Sequence, residues 1–471
     1  RNLSFRISSK RPTPRRSRSR AQIPWRHTLA TARESGSHLA PRVNMLPLDC
    51  SVQQYAWGKP GRESRVAKYK ASSDPTFSVE ADESYAELWM GTHPKAPAAI
   101  AENGEPLTEW LQANSRVLGT DTLEENLSLP FLFKVLSINK ALSVQAHPDK
   151  SLAERLHAER PDVYKDPNHK PEFGIALTDF EGMCDFRGLA EIVEHLEKHP
   201  EFRSICGEEA AVALKSAVGA SDGEQKTALK SLFSAFMNAD DALKASQLSA
   251  FLDRLTAEES AAEEDSEEGA LRRLMLRLSA QFPGDVGCMV PLLLNYLRME
   301  AGQGFFMGAN KPHAYISGDI LEIMACSDNV VRVALTPKYR DVETLVEMLT
   351  YESGVPTIEN GTEIDGNTRV FSPPVYECEV DLTSVVGTSP YTLRALDSCS
   401  ILLVTGLSGA VRAVAPAMPG ISLLQTSVQL AVGQVLFIPA KVEVAITGAS
   451  DDAEASVARA HTNPAVPPAR R

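Results

Sequence analysis

Aromatic residues are scarce in this chain, at 6% of 471 positions, although 43% of the residues are hydrophobic, a share ordinary for a globular enzyme. Long apolar runs are missing. No stretch approaches the ~18 residues that a bilayer-spanning helix needs, and dense runs such as Cys288 to Leu294 are only core-sized. Cysteine is sparse and unpaired in pattern: Cys50, Cys184, Cys206, Cys288, Cys326, Cys378 and Cys399 are odd in number, scattered and free of any CxxC spacing. That pattern excludes a disulfide framework and a thiolate zinc site, and it suits a reducing compartment. An excess of positive charge is also lacking. The net charge is −13, and residues 1–44 alone hold ten Arg, Lys10 and a single acid, Glu34, for +10, so the remainder carries −23. An acidic body argues against non-specific nucleic-acid binding. Capture of an anionic substrate would need locally placed cations working against the net field.

At this length two or three domains are expected. Residues 1–44 are rich in Arg, Ser and Pro and show no lasting apolar period. They read as a transit peptide, a disordered basic arm, or upstream sequence carried in a gene model ahead of Met45. From about 46 to 180 short strands with turn signals are expected, with Pro130 to Ile138 a buried strand. From about 187 to 300 the period becomes helical, with apolar stripes at Leu189, Ile192, Val193, Leu196 and at Leu271, Leu274, Met275, Leu278. The acidic run Glu258 to Glu268 between them reads as a solvated loop. Strands return after 304 and continue to about 448, with Gly433 to Pro439 as a closing barrel strand, and the tail from His461 reads as a frayed end.

Three segments carry chemistry. In Ser143-Val-Gln-Ala-His147 a strand turns Ser143, Gln145 and His147 to one face and Leu142, Val144 and Ala146 to the other. In His169-Lys-Pro-Glu-Phe-Gly-Ile, Lys170 and Glu172 share a face opposite Phe173 and Ile175. In Asn310-Lys-Pro-His-Ala-Tyr315, His313 follows a proline at a loop-to-strand junction. Two imidazoles, one carboxylate and one amide without thiolate suit a catalytic zinc with an open position, although on pattern alone a Gln-x-His strand is more often structural. Lys134 interrupts an apolar strand and needs an anionic partner, from a substrate or from the protein. Glu322 sits among apolar neighbours that would raise its pKa toward general-base range, or it is a strand carboxylate paired to a lysine. Trp57, Trp89 and Tyr315 read as barrel core or pocket wall.

Six motifs occur in one order: Tyr55-Ala-Trp-Gly58, Ala86-Glu-Leu-Trp-Met-Gly-Thr-His-Pro94, Leu142-Ser-Val-Gln-Ala-His-Pro-Asp149, Asn168-His-Lys-Pro-Glu172, Pro312-His-Ala-Tyr-Ile-Ser-Gly-Asp319 and Ser327-Asp-Asn-Val-Val-Arg-Val-Ala-Leu-Thr-Pro-Lys338. In these blocks the chain from Met45 to about residue 450 resembles the type I mannose-6-phosphate isomerases. The resemblance implies a mainly β fold: a cupin-type jelly-roll catalytic domain, a helical insertion and a second, degenerate cupin-like β domain. The corresponding division is 1–44 arm, 45–186 and 301–368 catalytic domain, 187–300 insertion, 369–455 second β domain and 456–471 tail. The absence of histidine between 370 and 450 fits a second domain without a metal site.

The resemblance further implies one Zn²⁺ per chain on Gln145, His147, Glu172 and His313. It implies a catalytic role for Arg332. The residues themselves offer Glu322 as a proton-transfer group and Lys134, Lys170, Lys338 and His169 as substrate contacts, with solvated lysines and structural pairs as the alternatives. The expected reaction interconverts mannose 6-phosphate and fructose 6-phosphate. The expected partners are the sugar phosphates alone, neither nucleic acid nor membrane, for a monomer in the cytoplasm. Two rivals remain: a cupin-like binding or storage protein, whose mark would be lost ligands, and a different metal-dependent oxygenase or isomerase on the same fold.

Motif matching and ordered patterning both begin near Met45. Deleting residues 1–44 is therefore expected to leave turnover and thermal stability almost unchanged. A clear drop in either would show that the arm packs on the body, and loss of mitochondrial import of a tagged protein would establish a transit peptide.

Overall fold

In the computed structural model, residues 45–119, 127–257, 266–416 and 425–467 are described. The basic arm and most of the acidic run lie outside them. The last residues of that run, Glu267 and Glu268, open the helix Glu267–Gln281, and the Ser266 hydroxyl caps it by accepting from the Gly269 amide.

The first β layer is a ten-stranded sheet whose centre is the strand His313–Ala325. Its C-terminal half pairs with Phe131–Ile138 on one side and Glu172–Ala176 on the other. Its N-terminal half pairs with Phe180–Phe186, and His313 pairs with Gln145 of Val144–Ala146. All eight residues of Phe131–Ile138 are buried, as the apolar run Pro130 to Ile138 predicts, because both faces are covered. Phe131, Phe133 and Val135 enter a core shared with the second β layer, while Leu132, Lys134 and Leu136 line a cavity. Period-two alternation thus explains why one lysine sits in an apolar strand.

One irregularity governs this sheet. Glu181 faces Ser317 and Gly182 faces Tyr315, so Ile316 is an extra residue, a β-bulge. Two residues on, Gly318 bends the strand with φ +112°, and a Cβ there would lie 2.6 Å from the Asp179 carbonyl oxygen. A strict alternation would send His313 and Glu322, an odd and an even position, to opposite faces. The bulge shifts the parity, so His313 and Tyr315 share a side with Glu322 and Met324.

Helices occupy the middle of the chain, from Leu189–Lys198 to Glu267–Gln281. Both expected stripes are core: Leu189, Ile192, Leu196, Leu274, Met275 and Leu278 are buried, and Val193 and Leu271 pack against them. The run Cys288 to Leu294 is a buried set of 3₁₀ turns leading into the strand Leu294–Met299, which rejoins the first sheet beside Phe180–Phe186. The stretch expected to be short strands also contains helices, Arg65–Ser73, Leu107–Ala113 and Lys150–Glu159.

The second β layer is an eight-stranded sheet running, in order, Thr362–Glu363, Thr368–Phe371, Glu379–Val386, Glu454–His461, Ser400–Ser408, Val435–Ile438, Leu46–Asp49 and Ala99–Ile100. A four-stranded sheet packs on it around Val404, Leu436, Val444 and Ile446. The segment Val435–Ile438 is interior, with Ser400–Ser408 on one side and Leu46–Asp49 on the other. Leu46–Asp49, early in the chain, therefore belongs by hydrogen bonding to the C-terminal sheet. His461 also departs from expectation: it is no frayed end but the last residue of a central strand, 0% exposed.

Gly318→Ala is expected to cost about 2–4 kcal/mol, combining left-handed strain with displacement of the Asp179 carbonyl. Urea unfolding measures it. A loss below about 0.5 kcal/mol would show that the bend does not depend on glycine.

Candidate metal centre and active-site cavity

Three strands meet in register to form the centre. Gln145 lies directly opposite His313 on one side and Arg332 on the other, so these side chains form one row across the sheet. His147 follows the strand Val144–Ala146, and Glu172 opens the strand Glu172–Ala176. The core face of the first segment is as expected for Val144 and Ala146, which are buried against the helices. Leu142 differs: it precedes the strand and lines the cavity.

His147, Glu172 and His313 are all buried, and their ligand atoms lie within 4.8 Å of one another. His147 Nε2 is 3.5 Å from Glu172 Oε1, and His313 Nε2 is 3.2 Å from Glu172 Oε2. Neither Nε2 has a hydrogen-bond partner among the described residues. The opposite ring nitrogens are occupied: His147 Nδ1 donates to the Asn329 carbonyl at 2.6 Å and His313 Nδ1 to the Lys311 carbonyl at 3.1 Å. That fixes both tautomers with the Nε2 lone pairs facing the carboxylate, the arrangement metal-bound imidazoles adopt. Burial, with Lys170 nearby, pushes His147 down to about 4, so the imidazole is neutral at pH 7. Burial would raise the Glu172 carboxyl, but Lys170 and the two histidines hold it well below the usual range. Two imidazoles held through Nδ1 and an ionised carboxylate, with the Gln145 amide beside them, fit a borderline divalent cation.

The cavity over this centre measures about 280 Å³. Gln145, Glu172, Lys170, Lys134, Glu322 and Arg332 all line it, together with Trp57, Trp89 and Tyr315. Lys170 Nζ is 3.2 Å from Glu172 Oε1. Lys134 Nζ is 2.9 Å from Glu322 Oε2 and 3.6 Å from Glu87 Oε2, and it lies over the Trp89 ring at 5.3 Å. Glu322 Oε1 accepts from the Tyr315 hydroxyl at 2.8 Å. The two readings of Lys134 are therefore not exclusive, since it is an ion-pair partner and a cavity wall together. Burial, opposed by Lys134, pushes the Glu322 carboxyl above its usual range. Arg332 is half-buried with no ion pair or side-chain hydrogen bond among the described residues. Burial lowers its pKa with no neighbouring charge to oppose it. The acids that could have held it are engaged elsewhere, Asp328 with Lys95 at 2.8 Å and Asp341 with Arg160 at 2.6 Å.

Two expected substrate contacts are not brought to this cavity. His169 turns away, its Nε2 2.8 Å from Glu377 Oε1 in the second β region, and Lys338 is exposed in the turn after the Arg332 strand. Adjacency in sequence to Lys170 and Arg332 does not carry side chains to one face. Several contributors were not singled out in the sequence. Asp166 accepts from the Ser327 hydroxyl and the Asp328 amide, both at 2.8 Å, and so shapes the turn whose Asn329 carbonyl holds His147. Glu87 accepts from Trp89 Nε1 and shares Lys134. Tyr55, at the rim, packs on Trp57 with ring centroids 5.8 Å apart. The Asp-x-Asn turn chemistry and the Glu-x-Trp alternation were the available signals.

Known proteins resemble this chain over most of its length. Residues 45–189 match the family model "Phosphomannose isomerase type I, catalytic domain" and residues 205–294 the model of its helical insertion domain. The mannose-6-phosphate isomerase of Macaca fascicularis is 44% identical over 416 residues, covering 86% of this chain and 96% of that protein. The enzyme of the same name from Saccharomyces cerevisiae is 43% identical over 386 residues, covering 78% and 89%. A zinc-bound crystal structure of mannose 6-phosphate isomerase superposes with a TM-score of 0.70 at 29% identity, covering 89% of this chain and all of that one.

The buried charge array makes a prediction of its own. Lys134→Met leaves Glu322 and Glu87 uncompensated and is expected to cost about 3–5 kcal/mol. Adding Glu322→Gln should recover part of that loss, giving a coupling of about 0.5–3 kcal/mol in a double-mutant cycle. Strict additivity in urea or thermal unfolding would show that the pair is not a pair in solution.

Proposed function

The chain belongs to the type I phosphomannose isomerase family, and from that membership we propose that it interconverts mannose 6-phosphate and fructose 6-phosphate with one zinc on Gln145, His147, Glu172 and His313. The observation that carries this reading is the pair of buried imidazole nitrogens, His147 Nε2 and His313 Nε2, left without partners around an ionised carboxylate at the base of a cation-lined cavity. Intact ligands tell against a storage protein.

Zinc, when bound, supplies a Lewis acid for the substrate's oxygens and leaves a formal charge of about +1 with one carboxylate ligand. The chain's own residues do the rest. A base takes the proton from C2 of the open-chain aldose to give an enediol(ate), the O2 hydroxyl proton passes to O1, and a proton is returned to C1 to leave the carbonyl at C2. Glu322 is suited to that transfer because its carboxyl is raised and oriented at both oxygens, by Tyr315 and by Lys134. Arg332 presents an unpaired guanidinium to the developing negative charge or to the phosphate. Lys170 and Lys134 add positive charge to the wall and favour an anionic substrate in an acidic protein. Residues 45–186 and 301–368 form the catalytic domain in this reading, with 187–300 as insertion and 369–455 as second β domain. The product feeds mannose into GDP-mannose and glycosylation, and the expected setting is a cytoplasmic monomer. No helix among the described residues is long and apolar enough to cross a membrane.

A coupled isomerase assay with elemental analysis tests the metal assignment. His147→Ala or His313→Ala should lose zinc and activity together, and full activity in metal-free protein would overturn it. For Arg332→Lys, kcat should fall by about 10²-fold or more, as on loss of an oxyanion donor, with zinc content and Tm unchanged. A raised KM with kcat kept would confine Arg332 to phosphate binding. Early melting with zinc loss and normal turnover in the folded fraction would make it structural.

A further inference from the structure

A second cluster of metal-ligating side chains lies in the C-terminal sheet, where the absence of histidine between 370 and 450 had suggested none. Glu379 faces His461 and Asp381 faces Arg459 across the antiparallel pair Glu379–Val386 and Glu454–His461. Alternation puts all four side chains on one face. Glu379, Asp381 and His461 are buried, and their ligand atoms lie within 4.8 Å of one another.

The imidazole is set as in the first centre. His461 Nδ1 donates to the Thr462 carbonyl at 2.8 Å, which leaves the Nε2 lone pair facing the carboxylates, 3.5 Å from Asp381 Oδ1 and 3.7 Å from Glu379 Oε1. What differs is the middle. One nitrogen of Arg394, Nη2, lies 2.8 Å from Glu379 Oε1, 2.9 Å from Asp381 Oδ1 and 3.5 Å from His461 Nε2. Those are the same three atoms that would ligate an ion. In the first centre the corresponding imidazole nitrogens have no partner among the described residues; here a guanidinium nitrogen sits among them. Arg394 comes from the loop side and keeps 38% of its side chain exposed, while its partners are almost wholly covered. Its Nε reaches Asp381 Oδ2 at 3.2 Å, and its carbonyl accepts from Arg459 Nη1 at 2.6 Å. The Ser372 hydroxyl also donates to Glu379.

Charge explains why the position is filled. Two buried carboxylates without a cation are strongly unfavourable. Arg394 and the fully buried Arg459 set two positive charges against the two carboxylates. The guanidinium pairs with Asp381 through two nitrogen–oxygen contacts and shares Nη2 with Glu379, a match that a planar fork of donors provides. Withdrawing Arg394 would leave one nitrogen and two carboxylate oxygens converging on a space open to solvent, a donor set for a borderline divalent cation.

We propose that Glu379, Asp381 and His461 form a second divalent-cation site, built on the plan of the first and held closed by the Arg394 guanidinium in place of the metal. The second β domain is thus degenerate in occupancy and not in ligands. This inference does not rest on the isomerase reading.

Co²⁺ titrated into the metal-stripped full-length chain, followed by its visible d–d absorption and by elemental analysis, tests it. Arg394→Ala should bind one Co²⁺ per chain more than its parent. Arg394→Lys, which restores a cation, should bind no more than the parent, and Arg394→Ala with His461→Ala should lose the extra equivalent. The same increment should appear in a His147→Ala background, where the first centre is disabled, which separates this result from any failure of the first assignment. A folded Arg394→Ala chain with the parent's stoichiometry overturns the proposal, as does an extra equivalent that survives His461→Ala. If Arg394→Ala melts early without metal, Co²⁺ should restore its Tm, and early melting that Co²⁺ does not relieve also overturns it.

Discussion

A charge buried inside a β-barrel has to be answered by another within a few ångströms, because desolvation of a lone carboxylate or ammonium costs several kcal/mol. The cavity is organised around that requirement. Glu172 is answered by Lys170 and faces two imidazoles, and Glu322 and Glu87 share Lys134. Only Arg332 among these wall residues stands without a counter-ion among the described residues. An array compensated everywhere except at one guanidinium, above a carboxylate flanked by unpartnered imidazole nitrogens, is prepared for an anion on one side and a cation on the other.

Bringing these groups together depends on the strand His313–Ala325. It carries a proposed metal ligand at one end and a proposed proton-transfer group near the other, and the bulge at Ile316 puts both on one side. Gly318 then lets the chain turn from the sheet edge holding His313 to the pairing with Phe131–Ile138 and Glu172–Ala176. Backbone geometry that looks like a defect in a ladder is here the device that aims side chains from one strand into one cavity.

The two β regions resemble one another in this respect. Each sets an imidazole by a hydrogen bond from Nδ1 to a backbone carbonyl and turns Nε2 toward carboxylate oxygen. They differ in what occupies the middle, and an arginine side chain is a covalently attached cation that no chelator removes. The two regions are also fused, because Leu46, Phe437 and Ile401 pack in one core with Phe133, Phe173 and Ile323. Leu46–Asp49 ties them further by joining the C-terminal sheet.

By itself the sequence determined what depends on local period and residue type. Alternation in Phe131–Ile138 and Glu172–Ala176, helical stripes after residue 188, and the donor types at Gln145, His147, Glu172 and His313 were all legible, because side-chain direction within one regular element follows from its period. The motif order identified the family. Tertiary structure alone decided what depends on register and parity between distant strands: that His313 and Glu322 share a side, that Gln145 lies between His313 and Arg332, that His169 pairs with Glu377 and that Lys338 is exposed. It also decided that Leu46–Asp49 belongs to the far sheet and that His461 ends a central strand beside Glu379. A one-residue bulge reverses every facing beyond it, and pairing between residues hundreds of positions apart leaves no local trace in the chain.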